Sequence, residues 1–289
     1  MNKSKYLVIG SKGLLGSEII KVLKFKKKNY YTAARRNSDL NVNLKNFSKL
    51  KKFILKHNFN YIINCAGIIN IDECEKKYNN ILKINYFLPK HLSDLSIKKN
   101  FKLIHISTDQ VYYKKKNQLS KESDKIYAIN KYAKSKVLSE KAVKKNKRNL
   151  IIRTNFTGKK KTNTKNTSFI DWLNNQTKNK KNNINLFNDL YTSTIDAKNC
   201  AKFIIKLIEK NFSGIYNLGS RKSISKEKFA LEFFKKMKVK LDYNSISCDI
   251  LSVERCKYLG MSTKKIERDL GEKMPTPGQV INNLYMEYK

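Results

Sequence analysis

Apolar residues along this chain fall into short runs separated by stretches of helical period. Tyr6-Leu7-Val8-Ile9 is a strand-like run that stops at Gly10, and Leu14, Leu15, Ile19, Ile20 and Leu23 then recur on one face of a helix. The alternation continues with strands over 30–34, 61–65, 103–107 and 150–153. Between them lie helical patterns over 44–55 and 82–95, and a long one over 127–143. Strands that are apolar almost throughout are buried on both faces. Repeated βα units of this kind predict an α/β fold, a doubly wound parallel sheet covered by helices on both sides.

Beyond Arg153 the texture changes. Lys159 to Thr167 is polar and reads as a loop, Phe169 to Leu173 opens a helix, and Ile184 to Phe187 is a short strand. A helix over 195–208, a strand over 214–219 and an amphipathic helix over 229–237 follow. Pro275-Thr276-Pro277-Gly278 predicts a turn before a short last helix, and no internal repeat is present.

Composition narrows the classes. With 289 residues, 40% of them hydrophobic, the chain can bury a sizeable core. No apolar run approaches the roughly 18–20 residues that span a bilayer, so no membrane partner is expected. The basic start lacks a cleavage site of small residues, so no signal peptide is read. Cys65, Cys74, Cys200, Cys248 and Cys256 are dispersed, without the spacing of a metal site, and dispersed thiols fit a reducing cytoplasm. The formal charge is +39, but the lysines are spread everywhere among Asn and Ile and arginine is scarce. That is a compositional bias rather than a patch built for nucleic acid, although such a field still attracts anionic ligands.

Four constellations carry chemistry. Gly10-Ser11-Lys12-Gly13-Leu14-Leu15-Gly16 follows the first strand and opens the first helix. Glycines there let the backbone approach a pyrophosphate, and the helix N-terminus offers free N–H groups. The second strand ends on Arg35 and Arg36 where a carboxylate would select NAD(H); arginine suits a 2′-phosphate, so NADP(H) is favoured and NAD(H) remains open. Asp39 and Leu40 are placed to border an adenine. Asn64-Cys65-Ala66-Gly67 supplies small residues at the end of the third strand. Finally, Ser107-Thr108-Asp109 ends the fourth strand, and Tyr132 and Lys136 stand four apart on the next helix. An ammonium beside a phenol is expected to lower its pKa, so that Tyr132 exchanges a proton with a substrate oxygen to which Thr108 hydrogen-bonds. Tyr127 and Lys131 form a competing pair at the same spacing. Asp72 and Glu75 read as a capping box.

In this order the glycine loop, Asn-Cys-Ala-Gly, Ser-Thr-Asp, Tyr132-Ala133-Lys134-Ser135-Lys136 and Arg153-Thr154-Asn155-Phe156 resemble the extended short-chain dehydrogenase/reductase superfamily. The chain is most similar to its dTDP-4-dehydrorhamnose reductase branch. The resemblance implies a Rossmann-type sheet with a smaller C-terminal substrate lobe and a catalytic set of Thr108, Tyr132 and Lys136. It further implies a cofactor site of Gly10, Lys12, Gly13, Leu14, Leu15, Gly16, Arg35, Arg36, Asp39, Leu40, Cys65, Ala66 and Gly67. Residues 1–155 with about 195–220 would bind the dinucleotide, and about 156–194 with 221–289 the nucleotide sugar. Gln110 replaces a family tyrosine and Asn155-Phe156 a Ser-Trp pair, departures that bear on which sugar is bound and leave the hydride chemistry intact. Phe169, Trp172, Phe187 and Arg255 are further substrate candidates, by base stacking or diphosphate clamping. A homodimer is one assembly open to the chain. The alternatives are an NAD-dependent epimerase, a dehydratase, against which Gln110 stands in place of a glutamate, and a cofactor-binding regulatory subunit.

Overall fold

A computed structural model describes residues 4–113, 118–160, 168–178 and 183–289. In chain order its strands are β1 (Lys5–Ile9), β2 (Asn29–Ala34), β3 (Leu40–Asn41), β4 (Tyr61–Asn64), β5 (Lys102–Ile106), β6 (Leu150–Thr154), β7 (Phe156–Thr157), β8 (Ile184–Phe187), β9 (Tyr191–Thr192), β10 (Ile195–Asp196), β11 (Gly214–Leu218), β12 (Ile224–Ser225), β13 (Tyr243–Ile246) and β14 (Tyr258–Leu259). Its α-helices are α1 (Leu14–Phe25), α2 (Phe47–Lys56), α3 (Ile71–Lys76), α4 (Tyr78–Leu82), α5 (Leu88–Lys99), α6 (Lys131–Val143), α7 (Phe169–Lys178), α8 (Ala197–Glu209), α9 (Lys226–Met237), α10 (Lys264–Leu270) and α11 (Pro277–Tyr288).

Seven strands form one sheet in the order β11-β6-β5-β4-β1-β2-β3, every neighbouring pair parallel. The direction of winding reverses between β1 and β4, which opens a crevice at their C-terminal ends. Alternation along β1 splits the core. Leu7 and Ile9 join Leu50, Ile54, Leu92 and Val143 from α2, α5 and α6 on one face. Tyr6 and Val8 join Leu15, Ile19 and Ile204 from α1 and α8 on the other. That second core runs on without a break to Phe229 and Phe233 of α9 and Val280 of α11, so the C-terminal elements are packed onto the sheet. The remaining strands make small sheets, β7 with β10, β8 with β13, and β9 with β12 and β14.

Local chemistry moved several expected boundaries. The long helix starts at Lys131, not Tyr127, because Asn130 caps it by accepting from the Ala133 N–H. Tyr127 therefore lies outside α6, exposed and edge-on to Tyr113, and the competing Tyr127/Lys131 pair dissolves. The cap of α3 is Asn70, which accepts from the Glu73 N–H, rather than an Asp72–Glu75 box. Glu75 instead accepts from the Lys131 N–H. The helix expected over 82–95 is interrupted by one π-helical turn, Lys83–Phe87. The last helix is not short: Thr276 and Gln279 form a capping box, Pro277 takes its first position, and the helix runs 12 residues to Tyr288. The polar run from Lys159 lies outside the described residues from 161 to 167.

Candidate active site

The glycine loop is built by close approaches that no side chain would allow. Gly10 has φ +78°, and a Cβ there would stand 2.9 Å from the Ala66 backbone nitrogen. A Cβ on Gly16 would collide with the Gly10 carbonyl oxygen. Gly10 donates to the Ala33 carbonyl at 2.9 Å, which ties the loop to the end of β2. Gly13 caps α1 with no side-chain hydrogen bond, and the first turn holds no acid. Leu15 and Gly16 are buried, Leu14 is half-buried, and Lys12 and Gly13 face solvent. Free N–H groups at a helix N-terminus, unopposed by a carboxylate, form a cradle that fits a pyrophosphate.

Beside it, Arg35 and Arg36 are exposed and enter no ion pair among the described residues. Leu40 is buried, and the Asp39 carboxylate accepts from the Thr32 backbone N–H at 2.8 Å and from the Thr32 hydroxyl at 2.6 Å. The segment after β4 is held by Asn85, which lies on the π-helical turn. Its amide accepts from the Ile68 N–H and donates to the Ile68 carbonyl, both at 2.9 Å, and donates to Ser135 of α6 at 3.1 Å. Asn85 thus fixes Cys65-Ala66-Gly67 against the helix that carries Tyr132. Burial pushes the Cys65 thiol well above its ordinary range, so it remains a neutral small residue.

Thr108 caps a 3-10 turn over Asp109–Val111 and accepts from the Gln110 N–H at 3.2 Å. Its own proton is directed to Asp109 Oδ1, also at 3.2 Å. Tyr132 is 8% exposed and lies beside Thr108. Burial holds its phenol well above the ordinary range, against the lowering pull of the Thr108 hydrogen bond. This differs from the expectation of an acidified tyrosine. The Lys136 ammonium donates to the Ile106 carbonyl at 2.6 Å, and it is not among the groups shifting Tyr132. Burial lowers Lys136 itself to about 8, with Glu140 pulling the other way.

The base of the site is a run of buried polar contacts that the sequence did not advertise. Ala66 N–H donates to Asn64 Oδ1, so the Asn64 amino group faces His105 Nδ1 at 3.4 Å. His105 Nδ1 is then the acceptor, and Nε2–H donates to Ser139 at 3.0 Å. Burial, and Lys136 after it, hold His105 neutral. On the next turn Glu140 meets the wholly buried Arg153 at 2.7 Å and accepts from Ser107 at 2.6 Å. Arg153 also donates to the Tyr112 hydroxyl at 2.7 Å. Periodicity marks neither His105 nor Glu140, because their partners lie far away along the chain.

Of the substrate candidates, Asn155 joins the site by donating to Asp109 Oδ2 at 2.8 Å, with Phe156 following it in β7. Gln110 has a buried Oε1 and Arg255 a buried Nη1 with no partner among the described residues. Arg255 is brought to the head of α6 by the Asn130 bond to the Glu254 carbonyl, and it pairs with Asp72 at 3.3 Å. Phe169 lies under the Lys226 ammonium, with Trp172 stacked on it at 6.4 Å and 39% exposed. Phe187 ends β8 opposite Ile246, and that pairing ties it to β13 rather than to the catalytic groups. The described residues hold one gathering of metal-ligand types, Asp189, Cys248 and Asp249, and the Lys257 ammonium bridges its two carboxylates. No helix among the described residues is long and apolar enough to cross a membrane.

Comparison with known proteins agrees with this geometry. A probable low-salt glycan biosynthesis reductase of Haloferax volcanii is 24% identical over 77% of this chain and 76% of its own length. A dTDP-4-dehydrorhamnose reductase of Aggregatibacter actinomycetemcomitans is 29% identical over 53% of this chain and 52% of its own. The chain thus spans about half the length of that second relative. Among solved structures, a dTDP-4-dehydrorhamnose reductase of Clostridium acetobutylicum superposes with a TM-score of 0.87 at 24% identity, covering 97% of this chain and 98% of that one. The Bacillus anthracis reductase in complex with NADP gives 0.87 at 23%, covering 99% of both. The profile of the RmlD substrate binding domain matches residues 4–289, and the chain belongs to that family.

Proposed function

We propose that this protein is a nicotinamide-dependent reductase of a keto-sugar nucleotide. The observation that carries the reading is a buried phenol, Tyr132, beside Thr108, in a fold whose first strand leads into a glycine cradle suited to a pyrophosphate. When bound, NADP(H) or NAD(H) supplies the hydride. A phenol held above its ordinary pKa is protonated at neutral pH, the state required to give a proton to a carbonyl oxygen. Lys136 keeps an ammonium behind the tyrosine, steadied by the Ile106 carbonyl. Thr108 orients the same oxygen once its hydroxyl turns from Asp109. The names of the relatives support a sugar-nucleotide substrate.

In the same reading, residues 1–155 with about 195–220 hold the cofactor, and about 156–194 with 221–289 hold the sugar nucleotide. Arg35 and Arg36 select NADP(H) by pairing with its 2′-phosphate. Arg255, with Nη1 unpaired, clamps the diphosphate, and Gln110 with Asn155 faces the sugar. Phe156, Phe169, Trp172 and Phe187 offer apolar surface to the nucleotide. The test is NADPH consumption against a panel of 4-keto-sugar nucleotides. Turnover of at least one, lost in Tyr132→Phe, is expected. Turnover without net use of cofactor would replace the reading with an epimerase cycle. Replacing both Arg35 and Arg36 with Ser should weaken NADPH far more than NADH, and equal weakening would remove the NADP(H) preference.

A further inference from the structure

A chain of polar side chains leaves the catalytic threonine and ends in the C-terminal half. Thr108 Oγ1 donates to Asp109 Oδ1, and Asp109 Oδ2 accepts from Asn155 Nδ2. Asn155 Oδ1 accepts from Thr194 Oγ1 at 3.1 Å, and Thr194 Oγ1 accepts from Lys226 Nζ at 3.4 Å. Chemistry fixes the direction of each link. An ionised carboxylate only accepts, so Asn155 must turn its amino group to Asp109 and its carbonyl to Thr194; an ammonium only donates. Lys226 is the first residue of α9, after the Ser225 cap, and its Nζ stands 4.7 Å over the Phe169 ring. An aromatic face holds an ammonium in place without neutralising it.

We propose that Lys226 is a positioning residue for the reduction, fixing the Thr108 hydroxyl through Thr194, Asn155 and Asp109. The role rests on the reductase reading above. Asp109 is 1% exposed, and the titratable groups that face it are Lys226 from α9 and the Tyr132 phenol from α6. Burial raises its carboxyl, the Asn155 bond and the Lys226 charge draw it back, and it comes to about 6. While Asp109 is ionised, the Thr108 proton is directed to Oδ1 and is withheld from a substrate oxygen. Asn155 occupies Oδ2, so a proton arriving on Asp109 goes to Oδ1. There it points at Thr108 and reverses the hydroxyl. Lys226 therefore sets the pH above which Asp109 holds the threonine proton and below which that proton is free for a substrate oxygen.

The test titrates Asp109 directly. Protein labelled with carboxyl-13C aspartate is followed by NMR against pH, with the Asp109 signal assigned by its loss in Asp109→Asn. In Lys226→Met the Asp109 midpoint should rise by on the order of one pH unit or more, as loss of a nearby opposite charge requires. Lys226→Arg should stay near the wild type. The fall of kcat/KM as pH rises through the Asp109 midpoint should move by the same amount, with NADPH affinity unchanged. An Asp109 midpoint equal in Lys226→Met and wild type would overturn the proposal. Lys226→Gln repeats the comparison if the methionine variant does not fold. Failure of both uncharged variants to fold, with Lys226→Arg intact, would assign Lys226 a purely structural role and also overturn it. The carboxyl titration needs no substrate, so a wild-type protein without turnover would sink the reductase reading alone.

Discussion

Tyr132→Phe deletes one hydroxyl from a well-buried ring, so packing and cofactor binding should survive. Turnover should fall by roughly 10²–10⁴-fold, the usual worth of a positioned proton donor. Lys136→Met should lower turnover and NADPH affinity together, and steady-state kinetics with a fluorescence titration separates the two patterns. The free-enzyme pH profile carries a sign. Lys136 comes to about 8, so its charge is present below that pH and lost above it. kcat/KM should decline as pH passes about 8, and the decline should be shallower in the residual activity of Lys136→Met, with Lys226, which burial also lowers to about 8, carrying the rest. Asp109 carries the opposite sign for stability. Its folded pKa of about 6 lies above the ordinary 3.8, so its contribution is greatest below pH 4 and lost as pH rises toward 6. The shift of about two units corresponds to on the order of 3 kcal/mol. Asp109→Asn should flatten the stability curve in that window by urea unfolding. At this scale Tyr132, Lys136 and the glycines were legible, because four-residue spacing and a strand–turn–helix context are local. Asn85, His105 and Lys226 were not, because each acts on partners 17 or more residues away.

Helix α6 shows how an element is held where its side chains must act. Its tyrosine and lysine face β5, while one turn on Glu140 is locked to Arg153 of β6 and to Ser107. The pair is almost wholly buried, with side-chain exposures of 1% and 0%. Such a pair gives little net stability when both partners are present, but breaking it strands a charge. Arg153→Met should therefore destabilise the fold by about 3–5 kcal/mol, and adding Glu140→Gln should recover part of the loss. Equal destabilisation in the single and double variants, measured by denaturant unfolding, would show that packing rather than charge is at stake. The strands of the large sheet and the helices on it were legible from apolar runs. The two-residue strands β7, β9, β10, β12 and β14 were not, since two residues carry no period. The start of α6 was misplaced because Tyr127 and Ile126 extend the apolar pattern, whereas the Asn130 cap decides where the helix begins.

At the scale of the whole molecule, the order of βα units foretold the parallel sheet, while the attachment of the C-terminal elements depended on side-chain packing that periodicity cannot show. Charge is the remaining whole-molecule property. Lys and Arg number 62 against 23 Asp and Glu, so the carboxylates are far too few to pair them. Two carboxylates already serve two ammonium groups each: Glu209 meets Lys26 and Lys28, and Glu272 meets Lys202 and Lys206. The unpaired cations repel one another in the folded state and attract an anionic dinucleotide or sugar nucleotide. Salt screens both effects, with a Debye length of about 10 Å at 0.1 M. The two consequences have opposite signs. Raising NaCl from about 10 mM through this range should increase the unfolding midpoint, because self-repulsion is relieved, and should also raise the Kd for NADPH, because attraction is lost. A protein whose charges were balanced locally would show neither trend. If ligand affinity proves independent of salt while stability rises, the positive field acts only on the fold, and recognition of the anionic ligand rests on short-range groups such as the α1 N-terminus alone.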